Sequence, residues 1–390
     1  MTKQIKTHSC MKIALVIKSL SLSGGGAERF SRNLIRGLLA RGHEISVFCF
    51  DWDDGTKQLG ISLHKIPKLS KWKHPWFDFS EKVHNEIKKN GNFDVVFGLT
   101  QLCPQDVHRL GGGIYRYWYE LKYGKFLPLQ MLRGRVRSAL KFEKQMYSPG
   151  NYKHLITISE MDKRILQKYY NVPKEKIHTI YNGFDFEEFN CKNRENDRAG
   201  ICAEFKIPTK KTIALFAANN YKRKGLPQAV TSLLKTNNPE KFTLIVIGRG
   251  RTGIKKKLSN MANGKLEVIW LDHVKNPAHF YRGSDVFLFP TLYDSFANVI
   301  GEALACGLPV ITTEQAGGAE FVIKGESGFV VKNAYATNEM SKHLNKFTDK
   351  DFCAAFSKKA PEIVSKHTID RCAEEVEKVL FLDTNCTNLH

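Results

Sequence analysis

The sequence lacks the features of several common protein classes. No stretch approaches the roughly 18 consecutive apolar residues of a transmembrane helix. The first apolar run, Ile13 to Ile17, is too short for a secretion signal and ends at Lys18. Nine cysteines are scattered without a Cys-x-x-Cys or a Cys/His cluster at zinc spacing, which predicts reduced thiols and no metal site. We therefore expect a cytoplasmic protein.

Acidic residues are scarce relative to basic ones. The 390 residues include 60 Lys and Arg against 39 Asp and Glu, a formal net charge of +21. Such an excess indicates an acidic partner, and composition leaves nucleic acid, an anionic membrane and a phosphorylated substrate open. A Gly-x-Gly-x-x-Gly followed by an acid at the end of the second strand is also missing, which argues against a dinucleotide-dependent oxidoreductase.

Continuous apolar strands alternate with amphipathic segments in both halves of the chain. This pattern predicts an α/β fold with parallel, doubly wound sheets, and the length predicts two domains. The predicted strands are KIALVI, EISVFCF, FDVVFGL and HLITIS in the first half, and TIALFAA, FTLIVIG, LEVIWL, VFLFP and PVITT in the second. We predict an N-terminal domain at 1–187, a polar linker at 188–207, a second domain at 208–365 and a C-terminal helix at 366–390 that could pack back on the first domain.

The run from Pro290 to Pro309, PTLYDSFANVIGEALACGLP, follows a predicted buried strand. A loop at the carboxyl end of that strand is where open α/β sheets place ligands. The helix predicted after it, at about 297–305, directs its first-turn amides and positive dipole end at the same place. Asp294 on the loop and Glu302 in the helix add carboxylates, which accept hydrogen bonds from vicinal hydroxyls. Alternatively, Asp294 is a helix cap and Glu302 a solvated helix residue.

Three other segments carry candidate site residues. Gly24 to Gly26 follow the first strand and open a helix, so their amides can approach a ligand or form only a tight turn. Arg223 and Lys224 follow strand TIALFAA, where cations either neutralise a phosphate group or are solvated. The segment 106–113, DVHRLGGG, combines a histidine and an arginine with three glycines.

A basic and aromatic segment spans 115–144. It contains eight Lys or Arg against two Glu, interleaved with seven aromatic residues. This composition suits single-stranded nucleic acid or an anionic membrane surface. The alternative is a pair of amphipathic helices packed on the first domain.

The run 290–309 resembles the signature of glycosyltransferase family four, an acid followed after seven residues by Glu and then Ala-x-Ala-x-Gly-x-Pro-Val. The resemblance covers nearly the whole chain and implies the GT-B fold, two Rossmann-like domains facing a central cleft. It implies that Glu302 holds the ribose hydroxyls of a nucleotide sugar and that Asp294 contacts the donor sugar. It also assigns binding of sugar and phosphate to the amides of Phe296, Ala297 and Asn298.

The same resemblance implies roles for the other segments. Gly25 and Gly26 face the donor diphosphate, and Arg223 and Lys224 neutralise the leaving group, so that Arg223, Lys224 and Asp294 form the catalytic set. On the acceptor side, Gly112 stands where the family carries an acid, and His108 and Arg109 are possible substitutes.

The function implied by the resemblance is a retaining, metal-independent hexosyltransferase without a cofactor. We expect a UDP-sugar donor and a phosphorylated glycolipid acceptor, as in the lipopolysaccharide-core glucosyltransferases of the family. The enzyme is expected to lie peripherally on the inner face of the cell membrane through 115–144, with no nucleic-acid partner. The alternatives are a nucleic-acid-binding protein, favoured by the charge, and a transferase using an O-antigen or capsule precursor.

Overall fold

The structure, a computed structural model, describes residues 10–21, 26–70 and 75–384. It divides into two compact units. The first comprises the described residues up to Gly183 together with those from Ile369, and the second spans Phe184–Thr368. Each unit contains one main parallel sheet with helices connecting the strands, which confirms the predicted α/β class.

The first unit alternates strands with helices. Its strands are β1 (Lys12–Val16), β2 (Ser19–Leu20), β3 (Glu44–Cys49), β4 (Asp51–Trp52), β5 (Ser62–Lys65), β6 (Val95–Gly98), β7 (Val107–Arg109), β8 (His154–Thr157) and β9 (Ile177–Thr179). Its helices up to that point are α1 (Gly26–Ala40), α2 (Pro75–Lys89), α3 (Tyr115–Tyr123), α4 (Leu127–Met131), α5 (Gly134–Met146) and α6 (Glu160–Tyr170).

The sheet of the first unit has seven parallel strands in the order β5-β3-β1-β6-β7-β8-β9. The central strand β1 is apolar and buried from Ile13 to Val16 because helices cover both faces of a doubly wound sheet. Strand order reverses between β1 and β6. The loops that follow these two strands therefore lie at the switch point of the sheet.

The second unit repeats this arrangement. Its strands are β10 (Thr212–Ala217), β11 (Phe242–Ile247), β12 (Glu267–Leu271), β13 (Val286–Phe289), β14 (Val310–Thr313) and β15 (Gly328–Val331). Its helices are α7 (Arg194–Glu204), α8 (Leu226–Leu234), α9 (Thr252–Ala262), α10 (Pro277–Gly283), α11 (Asn298–Ala305), α12 (Thr337–Lys346) and α13 (Lys350–Val364).

The sheet of the second unit has six parallel strands in the order β12-β11-β10-β13-β14-β15. All residues of β10, β11 and β13 are buried, as their predominantly apolar sequences predict. The switch point lies between β10 and β13, which pair through Ala214 with Val286 and Leu215 with Phe287. Loops after these two strands are therefore neighbours at the carboxyl edge.

The predicted linker at 188–207 differs from the structure. Residues 194–204 form α7, which packs against α10 inside the second unit, and the unit boundary lies at Gly183 and Phe184. Two of the polar residues that suggested a linker have side-chain partners within the unit. Arg198 donates to Asp285 at 2.6 Å, and Asp197 contacts His279 at 2.8 Å.

The last helix of the described chain, α14 (Ile369–Thr384), belongs to the first unit and packs against α1. Gly37 of α1 permits this approach, because a Cβ there would lie 2.5 Å from the Cβ of Ala373. His43 links α14 to the start of β1 through two hydrogen bonds. Its Nδ1 accepts from the Met11 N–H, and its Nε2 donates to the buried Glu377 at 2.8 Å.

The basic and aromatic segment forms α3, α4 and α5. Glu143 of α5 is buried and accepts hydrogen bonds from the backbone N–H groups of Tyr115 and Arg116, at 2.6 and 2.8 Å, and from the Tyr170 hydroxyl at 2.7 Å. It thereby caps the start of α3. No helix among the described residues is long and apolar enough to cross a membrane.

Candidate functional site

The loop after β10 lies directly against the end of β13. Gly225 has φ +82°, and a Cβ at this position would lie 1.7 Å from the carbonyl oxygen of Pro290. Only glycine allows both the left-handed backbone and this approach. The carbonyl of Arg223 accepts from the Leu292 N–H at 2.8 Å and from the Thr291 hydroxyl at 3.1 Å. The loop is therefore held in one position at the switch point.

This arrangement brings Lys224 and Asp294 together. The Lys224 ammonium donates to Asp294 Oδ2 and lies 5.7 Å from the centre of the Phe289 ring. The Lys224 and Asp294 side chains are 13% and 20% exposed, so the pair is largely buried but still accessible to solvent. Two predicted catalytic residues, 70 positions apart in sequence, are thus in contact.

Burial and charge act against each other in this pair. Burial lowers the pKa of Lys224, and the Asp294 carboxylate opposes that effect. Burial also tends to raise the pKa of Asp294, but Lys224, Arg223 and the Phe296 N–H together hold it below its usual value. We take the pair as ionic at neutral pH because an ionised carboxylate is favoured by the hydrogen bond that joins it to Lys224.

A second loop, 315–318, supports the backbone that carries Asp294. The Asp294 N–H donates to the carbonyl of Gln315 at 2.9 Å, and the Gly317 N–H donates to the carbonyl of Asp294 at 2.9 Å. The Gly318 N–H donates to the carbonyl of Phe296, where a Cβ on Gly318 would lie 2.5 Å from that oxygen. The loop that includes Asp294 is thus bonded on both sides.

Helix α11 begins from a strained residue. Ala297, its N-terminal cap residue, has φ +64°, a conformation that alanine rarely adopts. The Phe296 N–H donates weakly to Asp294 Oδ1, at 3.4 Å. The backbone of Phe296, Ala297 and Asn298 therefore forms the turn next to Asp294, where the sequence predicts ligand-binding amides.

Glu302 lies on α11 and accepts a hydrogen bond from the Tyr281 hydroxyl at 3.1 Å. Tyr281 is 1% exposed, and its ring packs against Phe189 and Phe287. The next residue towards the start of the helix, Gly301, lies against the ring of Phe184, 2.0 Å from where its Cβ would stand. These contacts fix both the position of α11 and the orientation of the Glu302 carboxylate.

Arg223 is the neighbour of Lys224 in this loop. Its backbone N–H donates to Asn220 Oδ1 at 3.2 Å. Its side-chain Nε is buried and has no hydrogen-bond partner among the described residues. A buried donor of this kind is uncommon in folded proteins, and an acceptor from a ligand or from water would satisfy it.

The predicted residues of the first unit are not gathered in the same way. Gly26 is the first residue of α1, whereas Gly25 lies outside the described residues. His108 is 4% exposed on β7, and burial lowers its pKa to about 4, so its ring is neutral at pH 7. Gly112 has room for a side chain, since its Cβ would lie 3.6 Å from Gln101 Nε2.

Arg109, also on β7, is buried at 4% exposure. Its guanidinium stacks 3.5 Å from the centre of the Phe30 ring and donates to Asn182 Oδ1. Burial lowers the pKa of Arg109 to about 10, so it keeps its charge at neutral pH. Its Nε has no hydrogen-bond partner among the described residues.

Models of protein families match both parts of the chain. The Glycosyltransferase Family 4 model matches residues 24–188, and the model for Glycosyl transferases group 1 matches 197–363. The O-antigen biosynthesis glycosyltransferase WclY of Escherichia coli is 32% identical over 311 residues, which are 78% of this chain and 80% of WclY.

This chain belongs to glycosyltransferase family four. It is a glycosyltransferase, as its signature predicts. It is also similar to the lipopolysaccharide glucosyltransferase WaaG of Escherichia coli (strain K12), at 21% identity over 83% of this chain and 86% of WaaG.

Solved structures of glycosyltransferases share the fold. The crystal structure of WaaG matches with a TM-score of 0.79 at 19% identity, over 94% of this chain and 99% of WaaG. Anabaena HepE in complex with UDP-glucose matches with a TM-score of 0.72 at 17% identity, over 95% of this chain and 100% of HepE. These likenesses confirm the predicted GT-B fold.

Sequence analysis missed three features of this candidate site. Tyr281, whose hydroxyl donates a hydrogen bond to Glu302, lies a few residues before a strand and is not part of a recognisable sequence motif. Gly317 and Gly318 follow the strand PVITT, and that pair of glycines after a strand is the signal that could have identified the supporting loop. Phe289, under Lys224, was assigned only to the core.

Proposed function

We propose that the protein is a retaining glycosyltransferase that moves a hexosyl group, glucose or a similar sugar, from a UDP-sugar to a glycolipid acceptor without a metal ion. The observation that carries this proposal is the contact between Lys224 and Asp294 at the switch point of the second unit. In this proposal Lys224 is the cation for a diphosphate, and Asp294 beside it is the carboxylate for sugar hydroxyls. Asp294 lies in the loop that leads into α11 and Glu302.

Each group has a role that its environment supports. Glu302, oriented by Tyr281, accepts hydrogen bonds from the two ribose hydroxyls. Lys224 and Arg223 bind the diphosphate, for which the unpartnered Nε of Arg223 is an available donor. The start of α11 contributes the partial positive charge of a helix N-terminus.

The reaction then follows from where charge develops. The bond between the anomeric carbon and the diphosphate oxygen breaks, and Lys224 and Arg223 stabilise the negative charge left on the diphosphate. The acceptor oxygen bonds to the anomeric carbon on the face that the diphosphate leaves, and its proton passes to a phosphate oxygen. Configuration is retained because attack and departure share one face.

Two relatives support the choice of donor and acceptor class. HepE was solved with UDP-glucose, and WaaG is named as a lipopolysaccharide glucosyltransferase. We propose a phosphorylated lipopolysaccharide-core sugar or related glycolipid as acceptor. An O-antigen precursor is the second candidate, favoured by the higher identity to WclY.

The donor assignment is tested by calorimetry with UDP, GDP and ADP and by hydrolysis of the corresponding sugar nucleotides. We expect UDP to bind and Glu302→Gln to weaken it by about tenfold or more, because a charge-assisted hydrogen bond pair is lost. Glu326→Gln is the matched control. Glu326 precedes the amino end of β15, whereas the candidate site lies at the carboxyl ends of the strands, and its carboxylate pairs with Lys359. Unchanged UDP affinity in Glu302→Gln would contradict the assignment.

We also propose that 115–144 binds the anionic inner surface of the cell membrane. Four large apolar side chains are exposed there: Leu121, Phe126, Leu129 and Leu132, the last at 76%. The same segment exposes seven cations: Lys122, Lys125, Arg133, Arg135, Arg137, Lys141 and Lys144. Apolar side chains between cations fit the boundary between headgroups and acyl chains.

Vesicle sedimentation tests this surface. The protein should bind phosphatidylglycerol vesicles more strongly than phosphatidylcholine vesicles, and salt should weaken the binding. Replacing Leu129 and Leu132 by Ser should lower partitioning by about tenfold or more, since each leucine buries apolar area worth about 1 kcal/mol or more. Leu382→Ser, an exposed leucine of α14, is the control. Indifference to lipid charge would contradict the membrane assignment.

A further inference from the structure

The ion pair between Lys224 and Asp294 joins two groups that the proposed reaction needs separately. Lys224 is the proposed cation for the diphosphate, and Asp294 is the proposed acceptor for sugar hydroxyls. In the structure each satisfies the other. A ligand that needs both must therefore alter this contact.

We propose that donor binding exchanges this ion pair: the diphosphate takes the ammonium of Lys224, and the released carboxylate of Asp294 takes the hydroxyls of the sugar. This inference rests on the proposed function and adds a means of telling the nucleotide sugar from the nucleoside diphosphate. The complete donor gives both released groups a new partner. A nucleoside diphosphate without a sugar gives a partner only to Lys224.

Exchange is favoured over a shared arrangement by the charges in the loop. If Asp294 kept its bond to Lys224, its carboxylate would face the phosphate oxygens that Lys224 also binds, and like charges repel. The side chain of Asp294 is only 20% exposed, so water cannot screen this repulsion fully. Sugar hydroxyls remove the conflict because they donate hydrogen bonds to the carboxylate.

The loop is built so that the side chains can exchange partners while the backbone stays in place. The carbonyl and N–H of Asp294 are bonded to 315–317, and the carbonyl of Arg223 is bonded to Thr291 and Leu292. The bond from the Phe296 N–H to Asp294 Oδ1 is long, at 3.4 Å, and therefore weak. The carboxylate is held chiefly by the group that the ligand removes.

One consequence concerns product release. After transfer the nucleoside diphosphate no longer carries a sugar, and Asp294 is left as a poorly solvated carboxylate beside the diphosphate. Re-forming the pair with Lys224 competes with the diphosphate for the same ammonium. The ion pair therefore weakens product binding selectively, without weakening binding of the donor by the same factor.

The experiment compares dissociation constants for UDP and UDP-glucose, measured by calorimetry, in the wild type and in Asp294→Asn. This change keeps the shape of the side chain and removes its charge. We expect UDP to bind about fivefold more tightly, as for loss of a partly exposed ion pair that competes with the ligand. We expect UDP-glucose to bind less tightly than in the wild type, so that the preference for the sugar nucleotide is lost.

Two further variants separate exchange from a general change of charge. In the Lys224→Met background, Asp294→Asn should give a smaller gain in UDP affinity than in the wild type, because the competition of the ion pair is gone and only the repulsion between the carboxylate and the diphosphate is relieved. Glu326→Gln removes a charge from the same unit and should leave both affinities unchanged. Asp294→Ser repeats the test if the asparagine variant shows a lowered melting temperature.

The outcomes distinguish the exchange from the proposed function. If the wild type binds UDP and UDP-glucose but Asp294→Asn binds UDP no more tightly, the exchange is refuted. It is also refuted if the gain is as large in the Lys224→Met background as in the wild type, because the ion pair then does not compete with UDP. If the wild type binds none of UDP, GDP and ADP, the proposed function fails and the exchange fails with it.

Discussion

Replacement of Gly225 by alanine tests how closely the two loops of the site depend on each other. At φ +82° an alanine costs about 1–2 kcal/mol of backbone strain. Its Cβ would also lie 1.7 Å from the carbonyl oxygen of Pro290, whereas real contacts are at least 3.0 Å. The turn that carries Lys224 must therefore move by more than about 1 Å, and a displacement of that size can lower turnover by about 100-fold.

Gly264→Ala is a matched control for this substitution. Gly264 also has a positive φ, +69°, but no atom lies within 4 Å of where its Cβ would stand. The two variants share the backbone strain and differ in the collision with Pro290. Thermal unfolding and donor hydrolysis should be measured for both. If Gly225→Ala lost no more donor hydrolysis than Gly264→Ala, the close approach would not position Lys224, and the reasoning would be wrong.

Two further predictions concern buried hydrogen bonds to carboxylates. Tyr281→Phe should weaken UDP binding by about fivefold with little effect on turnover at saturating donor, because the hydroxyl orients Glu302 and does not touch the reacting atoms; calorimetry and steady-state kinetics check this. Burial raises the pKa of Glu143 to about 7, so stability should fall as pH rises from about 4.5 to 7, where the folded protein holds a proton that the unfolded chain releases. Glu143→Gln should remove this pH dependence of the free energy of unfolding, which amounts to at most about 3 kcal/mol. Denaturant unfolding between pH 5 and 8 measures it, and an unaltered pH dependence in the variant would count against the prediction.

The pattern of apolar strands was enough to locate the two loops of the candidate site, but not to predict that Lys224 and Asp294 are in contact. β10 and β13 are recognisable because, apart from Thr212 at the start of β10, every residue in them is apolar, and their carboxyl ends mark the two loops. The contact between Lys224 and Asp294 depends on the order of strands in the sheet. Hydrophobic periodicity does not specify that order, since any of the parallel strands could lie beside β10.

Residue type alone also did not show burial. His108 and Arg109 are polar residues beside three glycines, which is typical of an exposed loop, yet both are in the short strand β7 and are 4% exposed. Three residues are too few for an alternating pattern to be detected. Arg109 is tolerated there because Phe30 covers its guanidinium and Asn182 accepts a hydrogen bond from it, contacts between residues far apart in sequence.

The distribution of charge differs between the two units. The loop after β10 holds only three cations, Lys222, Arg223 and Lys224, and Asp294 pairs with the last of them. Residues 115–144, in contrast, hold eight cations against two acids, and one of those acids, Glu143, is buried as a helix cap. Its exposed surface is therefore almost purely cationic and apolar. Charge on that scale exceeds what a single nucleotide sugar needs, and we infer that it serves the acceptor or the membrane that presents it.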